Sequence, residues 1–177
     1  MKTAAEALIE FLAAQGIDRA FCVPGESYIA LLDALHAHPR MDLVTCRSEG
    51  GAGFMAVADG KMTGKPGVVL VSRGPGACNA SIAVHTAEQD AVPLILLIGQ
   101  VEKRDLRRNA FGRLATITTG LATDQVVGLN GGRAFVNRQN FGVTVVLRST
   151  SFFDDLIKNL NSLLVEIIES VFNRNLP

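Results

Sequence analysis

Two stretches of this chain are apolar at every position, Gly67-Val68-Val69-Leu70-Val71 and Pro93-Leu94-Ile95-Leu96-Leu97-Ile98. A strand with one wet face alternates apolar and polar residues. A strand without alternation is covered on both faces, which is the condition of a buried parallel sheet. Parallel neighbours need a crossover between them, and the intervening Asn79 to Gln89 carries a helical pattern. The pair therefore predicts a βαβ unit with a right-handed connection.

The same reading extends upstream. Ala5, Leu8, Ile9 and Leu12 fall at helical spacing across Ala4 to Gln15, with Thr3 as N-cap, Glu6 three residues on, and Gly16 as C-cap. Arg19 to Val23 is a short strand ended by Pro24-Gly25, and Tyr28 to His36 a helix. Asp42 to Cys46 is the next strand. Glu49 to Met62 is a helix whose Ala and Gly residues allow close approach to a neighbour. The expected fold is α/β, an open, mostly parallel sheet with helices on both faces. Downstream, Arg113 to Asn140 has weak periodicity and no assigned element, and Gly142 to Leu147 reads as a strand. Phe153, Leu156, Leu160, Leu163, Ile167 and Val171 trace one stripe of an amphipathic helix over about 152–172, a core face or a partner-binding one.

Composition narrows the class. Of 177 residues, 48% are hydrophobic and 19% charged, and seventeen Lys/Arg balance seventeen Asp/Glu. Such a chain is not disordered, its length suits one domain burying roughly 70% of its unfolded surface, and no bulk field steers it to nucleic acid or to a membrane. Glu6 and Glu10 interrupt any signal-peptide apolar region, and no apolar run approaches membrane-spanning length. Cys22, Cys46 and Cys78 are odd in number and form no C-x-x-C, which favours buried reduced thiols over disulfides or zinc. A cytoplasmic protein is expected.

In open parallel sheets ligands collect beyond the carboxyl ends of the strands. Three segments follow such ends: Pro24-Gly25-Glu26-Ser27, Arg47-Ser48-Glu49-Gly50-Gly51, and Ser72-Arg73-Gly74-Pro75-Gly76. Gly74-Pro75-Gly76 can expose backbone amides to a phosphate or a planar ring; a tight turn with an N-cap explains the same residues. It matches neither G-x-G-x-x-G nor G-K-[ST], so a Rossmann or flavodoxin-like nucleotide site is disfavoured. Glu49 at a helix start is either a cap favoured by the helix dipole or a proton relay. His36 and His38 end a helix, and His85 has no second ligand at metal spacing, so no metal site is assigned. Lys103 to Arg108 reads as a solvated face.

Taken together, Ala4 to Gly16, Phe21 to Glu26, Arg47 to Ala52, Ala58 to Gly60, Ser72 to Asn79, Asp90 to Leu94 and Gly99-Gln100-Val101 resemble, in order and spacing, the N-terminal pyrimidine-binding (PYR) domain of thiamine-diphosphate-dependent enzymes of the acetolactate synthase type. The resemblance covers about residues 1–111 and leaves 112–177 as a divergent C-terminal part, completing the same domain or appended to it. It implies the thiamine-diphosphate-binding fold of PYR type. Glu49 then matches the catalytic glutamate that hydrogen-bonds the aminopyrimidine of the cofactor, sharing a proton with the ring nitrogen. Pro24, Gly25, Gly74, Pro75 and Asn79 match loop positions around the pyrimidine or the substrate channel.

The resemblance further implies a transferase or lyase acting on a small-molecule 2-oxo acid by decarboxylation or carboligation, with only the pyrimidine half of thiamine diphosphate held here. Mg2+ and the diphosphate are expected on a PP domain or subunit supplied in trans, and a homo-oligomer, a dimer at least, is implied. Ala58-Asp59-Gly60 lies inside a predicted helix and offers no magnesium site. After Asn109-Ala110-Phe111 the expected Gln-Glu is replaced by Gly112-Arg113, so a truncated or frame-disrupted gene product with a substitute tail is expected. The alternative is a non-catalytic α/β fragment that only dimerises or binds a ligand.

Overall fold

The computed structural model describes residues 2–100 and the strand at 142–148. Helix α1 (Ala4–Ala14) opens on the expected capping box: the Glu6 N–H donates to Thr3 Oγ1 at 3.2 Å and the Thr3 N–H to Glu6 Oε2 at 2.6 Å. Two donors with no partner inside the helix are thus satisfied reciprocally. The C-cap is Gln15, and Gly16, one residue further, turns the chain with φ of 79°.

Strand β1 (Arg19–Cys22), a 3-10 turn (Glu26–Tyr28) and α2 (Ile29–Ala37) follow, then β2 (Asp42–Thr45), α3 (Glu49–Thr63), β3 (Gly67–Val71), α4 (Gly74–Gln89), β4 (Leu94–Gln100) and β5 (Gly142–Arg148). The sheet order is β2-β1-β3-β4-β5, parallel throughout except for β5, which runs antiparallel beside β4 from Leu94↔Arg148 to Gln100↔Gly142. This is the open, mostly parallel sheet expected.

Both faces of β3 are covered, as its unbroken apolar run requires. Val68 and Leu70 join Ala20, Cys22, Ile95 and Leu97 under α1 and α2. Val69 and Val71 join Phe21, Leu94, Leu96 and Ile98 under α3 and α4. Each such Val, Leu or Ile contributes about 1.5–3 kcal/mol by leaving water, so the central strands anchor the two core layers. Edge strand β2 is mostly exposed.

One boundary differs materially from the sequence reading. Helix α4 starts at Gly74, not Asn79, so Gly74-Pro75-Gly76 is its first turn rather than a loop. Pro is tolerated there because a first-turn N–H has no partner within the helix. Cys22 and Cys46 are buried free thiols, but Cys78 is exposed on α4, against the expectation of buried thiols. The expected helix at 152–172 and the basic run at 103–108 lie outside the described residues.

Candidate functional site

The chain leaves β1 for β2 by way of α2 on one face, and leaves β3 for β4 by way of α4 on the other. Neighbouring strands β1 and β3 thus send their following segments apart. That is the topological switch point, where open α/β sheets keep their ligand crevice.

The segment after β1 is pinned by Tyr28. This side chain is 1% exposed, and its hydroxyl donates to the Val23 carbonyl and reaches the Leu70 carbonyl at 3.5 Å. Burial pushes the phenol well above its ordinary pKa. Gly25 then lies against the segment after β3: a Cβ on it would stand 2.9 Å from Ser72 Cβ. One residue on, the Arg73 guanidinium donates to the Glu26 carboxylate. A phenol, a bare Cα and an ion pair therefore tie the two sides of the crevice together.

After β2, the Cys46 N–H donates to the Cys22 carbonyl at 2.7 Å, carrying the alignment one residue past the strand. Ser48 caps α3, its Oγ accepting from the Gly51 N–H at 3.2 Å. The capping role weighed for Glu49 therefore belongs to Ser48. Glu49 is the first helical residue, half-buried, and its Oε2 accepts from Asn79 Nδ2 at 3.1 Å. The start of α3 is thereby joined to the second turn of α4.

Gly76 completes this arrangement. A Cβ there would lie 3.1 Å from Ser72 Oγ and 3.5 Å from Glu49 Oε1, so the missing side chain leaves space beside the carboxylate. Among the described residues, Oε1 accepts no hydrogen bond. A half-buried carboxylate with one oxygen oriented by an amide and the other beside a bare Cα can hold a polar heterocycle and exchange a proton with it.

Of the residues singled out from the sequence, Glu49 and Asn79 are in direct contact. Gly25 lies on the opposite side of the crevice against Ser72. Gly74 is half-buried and Pro75 exposed in the first turn of α4, and Pro24 is exposed beside Gly25. Sequence reasoning named Gly76 within Gly74-Pro75-Gly76 but left it out of the ring-flanking residues, and it missed Tyr28 and the Glu26–Arg73 pair. Gly76 was findable as the residue one turn before Asn79, and the pair as opposite charges following two strand ends. Among the described residues no three His, Cys, Asp or Glu gather as metal ligands. Asp59 sits in α3 with its carboxylate 3.7 Å from Arg19 Nε.

Fold and crevice together define the class: a doubly wound α/β domain with a carboxylate at its switch-point crevice. Within that class, a family model described as thiamine pyrophosphate enzyme, N-terminal TPP binding domain, matches residues 2–119, and the chain belongs to this family.

The relatives agree. The chain is 41% identical over 101 residues to the acetolactate synthase of Bacillus subtilis (strain 168), covering 57% of this chain and 18% of the relative. It is 40% identical over 111 residues to the acetolactate synthase isozyme 3 large subunit of Escherichia coli (strain K12), covering 63% and 19%. It is 33% identical over 148 residues to the pyruvate oxidase of Lactiplantibacillus plantarum, covering 83% and 22%. The chain thus spans about a fifth of the length of these relatives. No helix among the described residues is long and apolar enough to cross a membrane.

The residues present suit the pyrimidine ring of thiamine diphosphate. A ring nitrogen needs an oxygen able to share a proton, and Glu49 Oε1 has no donor among the described residues; a flat ring needs a wall without side chains, and Gly76 has none.

Proposed function

We propose that this chain is the pyrimidine-binding half of a thiamine-diphosphate-dependent enzyme of the acetolactate synthase type, acting on 2-oxo acids by decarboxylation or carboligation and completed by a PP domain in trans. The observation that carries this reading is the Glu49 carboxylate, held by Asn79 on one oxygen and left beside Gly76 on the other. Family membership and the acetolactate synthase and pyruvate oxidase relatives support it.

When bound, thiamine diphosphate supplies the electron sink that allows a bond at a 2-oxo acid's carbonyl carbon to break or form. Glu49 would hold the pyrimidine at a ring nitrogen through Oε1 and give and take one proton there. Asn79 orients the carboxylate by donating to Oε2, and Gly76 keeps side chains out of the ring's plane. Gly25 and Pro24 on one side, and Gly74 and Pro75 on the other, would flank the ring. Mg2+ and the diphosphate would be held by the PP domain.

The test uses the full chain and thiamine. In saturation-transfer NMR the pyrimidine methyl protons are expected to take up saturation from the wild-type chain and to lose most of it with Glu49→Gln, while circular dichroism shows an unchanged fold. Equal transfer to both proteins would remove Glu49 from the cofactor site.

A further inference from the structure

We propose that Arg73 is the carboxylate anchor of this site, its guanidinium passing from Glu26 to the carboxylate of the incoming 2-oxo acid; this rests on the reading of the crevice given above. Arg73 and Glu26 come from the two segments that diverge at the β1/β3 switch point, so their ion pair lies where a ligand of this fold would enter. The two partners are unequal. The Arg73 side chain is 24% exposed and that of Glu26 79%, so the cation is seated in the protein while the anion reaches it from solvent. An exposed carboxylate holding a seated guanidinium is a weak tie, and a second carboxylate of the same geometry can replace it. The guanidinium is suited to this exchange because its planar fork accepts a carboxylate through two parallel N–H donors.

Position couples the anchor to the chemistry. Arg73 is the N-cap of α4, and three residues later Gly76 faces Glu49 Oε1. An acid held by Arg73 would therefore sit within one helical turn of the Glu49 side of the crevice. Glu26 acts as a built-in competitor, neutralising Arg73 until a substrate carboxylate arrives. The ligand class this selects is a small 2-oxo acid in its anionic form, and the corresponding neutral ester is excluded.

The experiment titrates pyruvate, and separately methyl pyruvate, into the full 177-residue chain, reading Kd from protein amide shifts. Arg73→Gln is expected to weaken pyruvate at least tenfold, and methyl pyruvate to bind the wild type at least tenfold more weakly than pyruvate. Glu26→Gln is expected to tighten pyruvate severalfold. That variant keeps Arg73 intact and so remains decisive even if Arg73→Gln does not fold. Absence of pyruvate binding, equal binding of the ester, or unchanged or weaker binding with Glu26→Gln would overturn the assignment. Thiamine binding measured on the same samples separates the two readings: thiamine bound without pyruvate sinks the anchor alone, and pyruvate bound through Arg73 without thiamine sinks the pyrimidine reading alone.

Discussion

Tyr28 is the chain's single tyrosine, and the chain has no tryptophan, so its near-ultraviolet absorption reports on one hydroxyl, the one that fixes the Val23 carbonyl at the mouth of the crevice. Burial raises its pKa in the folded state. The unfolded chain therefore loses this proton first, from about pH 10, and in that range it binds fewer protons than the native state. Stability contributed by the neutral phenol is complete below pH 10 and is lost as pH rises through the higher folded value. We predict that tyrosinate absorption appears only together with loss of helical circular dichroism, and that Tyr28→Phe removes this part of the alkaline destabilisation while lowering the urea midpoint at pH 7 by the equivalent of about 1 kcal/mol for one hydrogen bond. Tyrosinate forming while the fold is intact would refute the assignment. At this scale the sequence was readable in part. Glu49 stands out because it follows a strand end, and Asn79 through the resemblance carried by Ser72 to Asn79. Tyr28 did not, because a hydroxyl that bonds a backbone carbonyl leaves no pattern in side-chain chemistry.

Helices α3 and α4 meet through small residues, and the Ala/Gly richness of α3 announced it. A Cβ on Gly53 would collide with the Ala83 side chain, whereas one on Gly51 would meet only Ser48 Oγ at an ordinary 3.4 Å. Replacing a helical Gly by Ala gains up to about 1 kcal/mol in backbone entropy, and overpacking a contact costs about 1–3 kcal/mol. The two substitutions should therefore differ in sign: Gly51→Ala raises the urea midpoint and Gly53→Ala lowers it. Equal shifts would mean that α3 and α4 are not in the contact described. The central strands were legible because burial on both faces erases alternation, and their bounds fall within two residues of expectation. The start of α4 was not, because Gly-Pro-Gly carries turn chemistry and first-turn chemistry alike. The Ala77 N–H donating to the Arg73 carbonyl at 3.0 Å tells them apart.

At the scale of the molecule, the crevice has walls from the segments after β1, β2 and β3 and two carboxylates, Glu26 paired with Arg73 and Glu49 held by Asn79, but among the described residues no cluster of metal ligands to hold a diphosphate through a cation. The outer faces of α3 and α4 also carry apolar surface: Phe54 is 42% exposed, Ile82 56%, and Met62, two turns beyond Phe54, 87%. Gly50, one turn before Phe54, lies against Ile82, so the two helices share this surface, and exposed apolar area of this kind suits the docking of a partner. In the reading proposed above, a PP domain would cover this face and bring the groups that hold the diphosphate and Mg2+. We therefore predict negligible thiamine-diphosphate-dependent CO2 release from pyruvate by the pure chain, and turnover once a PP domain is added. In that mixture Glu49→Gln should lower the rate by about 10²–10⁴, the usual contribution of a positioned proton-transfer group, and Phe54→Asp should raise the PP concentration needed for half-maximal rate without changing the rate at saturation. Robust release by the chain alone would refute the partner requirement. A Phe54→Asp effect on the saturated rate, with no change in the concentration required, would place the docking face elsewhere.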